Sequence, residues 1–140
     1  MRFVPACLTT TAVLALCACG HHQGGGTDLI LGQGVSYSPA NPVAGQSVTI
    51  TFSIEDLTSD NVAFTNVPWV VNRDGVPAVF SGVFPQVVPN TALQQNFTDT
   101  PTAGVHVYTI IIDPNHTLVG VNENQTFQFF TLTILPASSG

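Results

Sequence analysis

Two carboxylates, Asp113 and Glu123, lie on either side of a predicted turn near the end of the chain. A pair of carboxylates can act as acid and base in glycoside hydrolysis. Together with the side-chain oxygen of Asn115, the pair also offers the hard oxygen ligands that calcium prefers. The set is a poor match to a calcium loop, because ligands do not recur at every second residue. We expect Asp113 to cap the turn with its side chain, and neither a metal nor another cofactor to be bound.

Nucleophilic catalysis needs an activated nucleophile with a base within reach, and the sequence shows no such pair. There is no Gly-x-Ser-x-Gly motif, and the cysteines, Cys7, Cys17 and Cys19, all fall near the start of the chain. His106 lies inside a strand pattern, where we expect a packed or hydrogen-bonded side chain. His116 lies in a predicted loop, where we expect a solvated one. We therefore predict that the protein is not an enzyme.

Cys19 follows an apolar stretch, with Leu16 three residues before it and the small Ala18 one before it. This leader resembles the signal of a bacterial lipoprotein. The resemblance implies that residues 1–18 are removed as a signal peptide and that Cys19 is acylated. Acyl chains on Cys19 would anchor the protein in the lipid bilayer of the cell envelope, and Gly20 favours the outer membrane. The alternative is an ordinary cleaved signal peptide that leaves Cys19 as a plain thiol.

The residues after this cysteine and the charge of the chain restrict its partners further. Residues 19–26 are rich in glycine and are expected to form a flexible tether with a mean reach of about 15 Å. The chain has eight Asp and Glu against two Lys and Arg, which gives a formal net charge of −6. Once residues 1–18 are removed, Arg73 is the only basic residue of these two types. Such a surface repels a phosphate backbone, so nucleic acid is excluded as a partner.

The rest of the chain has the period-2 alternation of half-buried strands, with no window of helical period. The clearest alternating sets are Val48, Ile50, Phe52, Ile54 and His106, Tyr108, Ile110, Ile112. Arg73-Asp74-Gly75 predicts a tight turn, with Ala78 to Val83 returning as a hairpin partner. We expect Pro85 and Pro89 to interrupt the strands, and Trp69 to lie in the core.

About seven strands at spacings near ten residues, separated by Gly and Pro turns, predict an all-β fold. The expected architecture is an antiparallel β-sandwich of the immunoglobulin or fibronectin type III kind. We place this single domain at residues 27–136, followed by a short tail at residues 137–140.

Several of these landmarks resemble the cell-adhesion-related domain of bacteria, CARDB. They are Asp28-Leu29, Ser38-Pro39, Gly45 to Ile50, Asp74-Gly75 and Gly104 to Pro114, and the resemblance covers about residues 27–135. The chain departs from the pattern at Gly120, where a Glu is usual. The resemblance implies an immunoglobulin-like sandwich without an active site.

The predicted anchor, the single sandwich domain and the lack of catalytic groups together favour a non-catalytic binding or adhesion module. Such a module would contact an envelope protein or glycan. Its recognition surface would be the loops at one end or an exposed strand edge. One alternative is carbohydrate binding by exposed aromatic rings, although we expect each candidate to lie in the core or at its edge. These candidates are Tyr37, Phe64, Phe80 and Phe84. The other alternative is a passive structural component of an envelope assembly.

Overall fold

The computed structural model describes residues 29–32, 34–57, 61–118, 121 and 126–138. The signal peptide, the tether and Glu123 lie outside these residues. The described chain is all-β, and none of it forms a helix long and apolar enough to cross a membrane. Its eight strands are β1 (Leu29–Leu31), β2 (Ser36–Ser38), β3 (Val48–Asp56), β4 (Phe64–Arg73), β5 (Val76–Val87), β6 (Ala92–Asp99), β7 (Gly104–Ile112) and β8 (Phe127–Ile134).

These strands form two antiparallel sheets of four strands each. In the first sheet, β6 pairs along most of β3, and the short strands β1 and β2 pair with the two ends of β3. In the second sheet the order is β5-β4-β7-β8, so β4 and β7 are central while β5 and β8 are edges. The antiparallel sandwich predicted from the alternation is therefore confirmed.

The core lies between the two sheets and is built from alternate residues of their strands. On β3 the buried residues are Val48, Ile50, Phe52 and Ile54, which is the set that the alternation predicts. Trp69 is buried against Phe52, with ring centroids 5.2 Å apart at an interplanar angle of 72°. Gly82 on β5 lies directly opposite Trp69, where it leaves room for the indole ring. The predicted core position of Trp69 is thus confirmed.

Two expectations about the strands need correction. Pro85 does not interrupt the sheet but lies inside β5, which runs from Val76 to Val87. An edge strand tolerates this, and the ladder has no pair at Pro85, where Asn66 opposite has a positive φ of 54°. The structure has eight strands where about seven were predicted, and Gly34, whose φ is +97°, lies between the short strands β1 and β2.

Pro68 lies in the central strand β4, and its position in the sheet explains why a proline is tolerated there. Its carbonyl accepts a hydrogen bond from the amide of Asp113 at 2.8 Å, on the side of β7. The ladder between β4 and β7 ends one residue away, at the pair Trp69 and Ile112. Because Pro68 lies at the end of this ladder, the amide hydrogen that proline lacks is not needed there.

Candidate functional site

The carboxylate of Asp99, at the end of β6, is a buried polar group with a full set of partners. Arg73 Nη1 lies 2.7 Å from each of its oxygens, and the hydroxyl of Tyr108 donates to Oδ2 at 2.7 Å. The amide of Thr100 donates to Oδ1 at 2.8 Å. The three side chains come from β6, β4 and β7, so this contact connects the two sheets at one end of the core.

These contacts decide which protonation states the cluster adopts. Burial raises the pKa of Asp99, but hydrogen bonds from Tyr108, Arg73 and Thr100 outweigh it and hold the pKa below its usual value. Burial, and then the hydrogen bond to Asp99, raises the pKa of Tyr108 far above its ordinary value. The carboxylate is therefore charged and the phenol neutral at physiological pH. Every acceptor position is filled by the protein itself, so the cluster is structural.

His106 forms the second polar contact, between β7 and the turn that joins β4 to β5. Its Nδ1 lies 2.7 Å from Asp74 Oδ2, and its Nε2 lies 2.9 Å from the carbonyl oxygen of Thr102. Both neighbours are acceptors, so both hydrogen bonds form only when both ring nitrogens carry a proton. Asp74 Oδ1 also accepts from the amide of Val107 at 2.8 Å. The expectation that His106 is a hydrogen-bonded strand residue is confirmed.

The same contact sets the ionisation of the two groups. The hydrogen bond with Asp74 is the main cause that raises the pKa of His106 above 6.5, while burial and Arg73 act in the opposite direction. The hydrogen bond from His106, followed by that from the amide of Val107, lowers the pKa of Asp74. Because the Nε2 atom of His106 is engaged by a backbone carbonyl, the ring has no nitrogen left to activate a nucleophile.

Asp113, the main residue of the predicted turn, caps the loop that follows β7. Its Oδ1 accepts from the amide and hydroxyl of Thr117 at 2.9 and 2.8 Å, and its Oδ2 accepts from the amide of Leu118 at 2.8 Å. The predicted capping role is confirmed. The exposed His116 lies in the same loop, and its amide donates to the carbonyl oxygen of Asp113 at 2.9 Å.

The structure describes two of the three calcium candidates. Asn115 is exposed, Asp113 uses both carboxylate oxygens for the cap, and Glu123 lies outside the described residues. In the part of the chain that the structure describes, no group of three His, Cys, Asp or Glu side chains could hold a metal ion. The expectation that Asp113, Asn115 and Glu123 bind no metal stays a prediction, because Glu123 is not described.

The four aromatic side chains considered for sugar stacking have different environments. Phe84 is buried, and Phe64 and Phe80 pack against the core from its edge, as expected. Tyr37 differs, because it is 40% exposed on the short strand β2. These four residues therefore form no common stacking surface.

Sequence reasoning missed the most unusual surface of the molecule, the side of the second sheet that faces away from the core. We call it the outer face; its exposed or half-exposed apolar residues are Pro68, Val70, Val83, Val105, Val107, Ile111, Phe127 and Phe129. The four strands of this sheet carry a single Asp, Glu, Lys or Arg, which is Arg73, and it points inward to Asp99. The outer face is thus largely apolar, and its strands place no charged side chain on it.

The two phenylalanines of β8 are the most prominent part of the outer face. Phe129 is 63% exposed and Phe127 is 47% exposed, and their rings contact each other at 5.4 Å. They alternate with the inward residues Leu132 and Ile134 of the same strand. The sequence shows this alternation. The exposed residues Phe127, Phe129, Thr131 and Thr133 are the odd-numbered ones, and the buried residues are even-numbered.

β8 is also an open edge of the second sheet. It pairs with β7 over its whole length, and its other side has no strand partner among the described residues between Phe127 and Thr133. Only its C-terminal end is covered, where Val43 forms a parallel bridge with Leu135. Main-chain donors and acceptors therefore lie beside exposed aromatic side chains, which is the combination that strand addition uses.

Comparisons with known proteins give a relationship of fold. No model of a known protein family matches the chain, and no curated protein matches it. Among solved structures, the CARDB domain of a protein from Pyrococcus furiosus, crystallised in complex with di-metal ions, aligns with a TM-score of 0.69 at 17% identity. That alignment covers 81% of this chain and 97% of the other. The solution structure of the same domain gives a TM-score of 0.60 at 16% identity, covering 78% and 97%.

A second protein has the same architecture. A domain of a proposed cell surface protein from Methanosarcina acetivorans aligns with a TM-score of 0.62 at 22% identity, covering 78% of this chain and 92% of that one. At these identities the similarity shows the fold alone. The chain has the immunoglobulin-like sandwich of CARDB domains, which confirms the fold that the sequence resemblance implied.

Proposed function

We propose that this chain is a non-catalytic binding module of the bacterial cell envelope that engages a macromolecular partner through β8 and the adjoining outer face. The observation that carries the proposal is the open edge of β8 beside two exposed phenylalanines, Phe127 and Phe129. Large exposed apolar patches on soluble domains mark interaction sites. The described polar clusters support this proposal, because their acceptors and ring nitrogens are occupied by the protein itself.

The proposed location follows from the leader. Acylation of Cys19 and removal of residues 1–18 would hold the domain close to a membrane, since a glycine-rich tether of the expected length would have a mean reach of about 15 Å. The test is partition of the mature protein between detergent and water. We expect the unchanged chain in the detergent phase and Cys19→Ala in the aqueous phase. Equal partition of the two proteins would refute the anchor and leave the proposed binding surface untouched.

The binding surface is tested by photo-crosslinking in intact cells of the source organism. A photoreactive amino acid at position 129 lies on the outer face, while the control position, Thr98, is also exposed but lies on the opposite sheet. We expect a crosslinked adduct from position 129 and none from position 98. Adducts from neither position, or from position 98 alone, would contradict the proposed surface.

Carbohydrate binding is a second candidate, favoured by one observation. Phe127 and Phe129 are exposed on a face without charged residues that also presents the side chains of Thr131 and Thr133. Aromatic faces beside hydroxyl groups suit neutral sugar rings. A glycan array decides between the candidates: hits that Phe129→Ala abolishes support sugar binding, and an array without hits removes it. A passive structural role would give the same crosslink as a binding module, and co-purification with a fixed assembly would identify it.

A further inference from the structure

The free main-chain groups of β8 can be assigned from the hydrogen bonds at its two ends. The amide of Ile112 on β7 donates to the carbonyl oxygen of Thr126, which directly precedes β8. The even-numbered residues of β8 therefore direct their amides and carbonyls to β7. At the other end, Leu135 donates to Pro42 and accepts from Ala44, on the side away from β7. By alternation, the odd-numbered residues of the strand direct one amide and one carbonyl each to the open side. They are Phe127, Phe129, Thr131 and Thr133.

Edge strands β5 and β6 differ from β8 in the residues that they contain. Edge strand β5 contains Pro77 and Pro85, which lack the amide hydrogen. Edge strand β6 presents the polar side chains of Gln94, Asn96 and Thr98 to solvent. By contrast, β8 has eight residues without a proline, glycine or charge. Of these three edges, that of β8 is therefore the one best suited to receive another strand.

The unpaired part of this edge, from Phe127 to Thr133, has the right length to pair with the same segment of a second copy. When an antiparallel strand pairs with its own copy, a two-fold axis passes through the sheet, and residues equidistant from the axis face each other. An axis at Phe130 places Phe127 opposite Thr133 and Phe129 opposite Thr131. In this register each of the four free amides and four free carbonyls meets a partner. Moving the axis by one residue in either direction leaves Phe127 or Thr133 without a partner.

The side chains agree with the same register. On the outer face each exposed phenylalanine lies beside a threonine, and pairs of an aromatic with a β-branched residue stabilise antiparallel strands. On the inner face Phe130 meets its own copy at the axis. Phe130 is already held in place by stacking on Tyr108, with ring centroids 4.9 Å apart at 8°. The exposed residues of the outer face therefore complement themselves, and Phe130 lies on the axis.

Charge restricts where two copies can meet. Each copy has a formal net charge of −6, so most pairs of surfaces repel each other. β8 has no charged residue, and the outward residues of its neighbour β7 are Val105, Val107, Thr109 and Ile111. A contact along β8 is thus one that this acidic chain can make with itself without bringing carboxylates of these strands together.

We infer that the partner of β8 is β8 of a second copy of this chain, paired antiparallel about a two-fold axis at Phe130. The two second sheets then join into one continuous sheet, and the outer faces form a single surface. This inference names the partner for the proposed function. It rests on the proposed function in one respect, the use of the β8 edge as the binding surface. Self-pairing removes the exposed edge, which is the part of the surface most prone to indiscriminate association.

The oligomeric state is measured by sedimentation equilibrium of the full chain in density-matched detergent. We expect a reversible monomer–dimer equilibrium. Phe129→Lys places a charge at the paired edge and should weaken the dimer by about tenfold or more. The matched control is Val83→Lys, since Val83 is 52% exposed on the same outer face but on the opposite edge strand β5. It should leave the equilibrium unchanged, and circular dichroism checks that both variants are folded.

The register is measured by disulfide formation between two variants with one added cysteine each, Phe129→Cys and Thr131→Cys. In the inferred dimer these positions lie opposite each other at about 5.5 Å between Cα atoms, within disulfide range. Each variant alone places its two thiols diagonally, at about 7–8 Å or more, which is too far. We therefore expect a new disulfide-linked dimer only when the two variants are mixed. The control mixture of Phe127→Cys with Phe129→Cys should give none, and all samples share the native cysteines as background.

These outcomes separate the inference from the proposed function. A chain that stays monomeric at all concentrations overturns self-pairing, as does equal weakening of the dimer by Phe129→Lys and Val83→Lys. The proposed binding module survives both results if position 129 crosslinks in cells to a product whose mass differs from two copies of the chain. A crosslink product of two copies, together with the mixed disulfide, supports self-pairing.

Discussion

Arg73 and Asp99 lie on different sheets of the sandwich, and Arg73 Nη1 is 2.7 Å from both carboxylate oxygens of Asp99. The aspartate is almost fully buried, while 31% of the arginine side chain is exposed. A buried carboxylate is tolerated because its hydrogen bonds replace those to water. The buried hydroxyl of Tyr108 supplies one of these bonds, so the three residues act as one unit.

We expect Tyr108→Phe to lower the free energy of unfolding by about 1.5–3 kcal/mol, the usual contribution of a hydrogen bond to a charged group. The hydroxyl donates to Asp99 inside the core, and its loss leaves the carboxylate with one donor fewer. Urea unfolding measures the change. Tyr37→Phe is the matched control, because Tyr37 is exposed and should shift the free energy by less than about 0.5 kcal/mol. Equal effects of the two substitutions would contradict the structural role of the cluster.

The contact between His106 and Asp74 predicts a dependence of stability on pH. The pKa of His106 is raised above 6.5 in the folded chain, mainly by Asp74, so its contribution is fully present below pH 6.5. That contribution is lost as the pH rises through the folded-state pKa. We expect thermal stability to decline over this range in the unchanged chain and in His116→Gln, but to decline less in His106→Gln. If His106→Gln follows the same curve as the unchanged chain, the contact has no such role.

Gly82 predicts a packing effect beside the only tryptophan of the chain. A Cβ atom at Gly82 would lie 2.5 Å from Cζ2 of Trp69, which is too close unless the indole ring moves. We expect Gly82→Ala to destabilise the fold by about 1–3 kcal/mol and to change the fluorescence of Trp69. Ser81→Ala, one residue away on the exposed side of β5, serves as the control. An unchanged emission spectrum in Gly82→Ala would show that the space opposite Trp69 is not needed.

The hydrogen bonds of Asp113 predict that calcium has no effect on the stability of the fold. Both of its carboxylate oxygens already accept hydrogen bonds from Thr117 and Leu118. Binding of an ion to the folded chain would raise the melting temperature by mass action. We expect millimolar calcium to leave the melting temperature unchanged. A rise that Asp113→Asn removes would instead assign a metal site to this loop.

Local patterns predicted much of the fold, because alternation and turn chemistry act over a few residues. The buried face of β3 from Val48 to Ile54 follows directly from its alternation, and the hairpin at Arg73-Asp74-Gly75 follows from the Asp-Gly pair. Pro85 was misjudged because its tolerance depends on β5 being an edge strand, and the order of strands is not a local property.

The polar contacts were harder to predict for the same reason. Nothing in the sequence links Arg73, Asp99 and Tyr108, which come together only when three strands from two sheets are in place. Asp113 is the exception, since its partners are four and five residues away in the same loop. The exposure of Phe129 could have been predicted from its phase relative to Leu132 and Ile134.

The measurement that tests the binding surface most directly is residue-resolved hydrogen exchange of β8, in the dilute isolated chain and in native envelope vesicles. The amides of Gln128, Phe130 and Leu132 face β7 and should be protected in both states. We predict that the amides of Phe127, Phe129, Thr131 and Thr133 exchange rapidly in the dilute chain and become protected in the envelope. Rapid exchange of these four amides in both states would contradict the binding surface proposed for this protein.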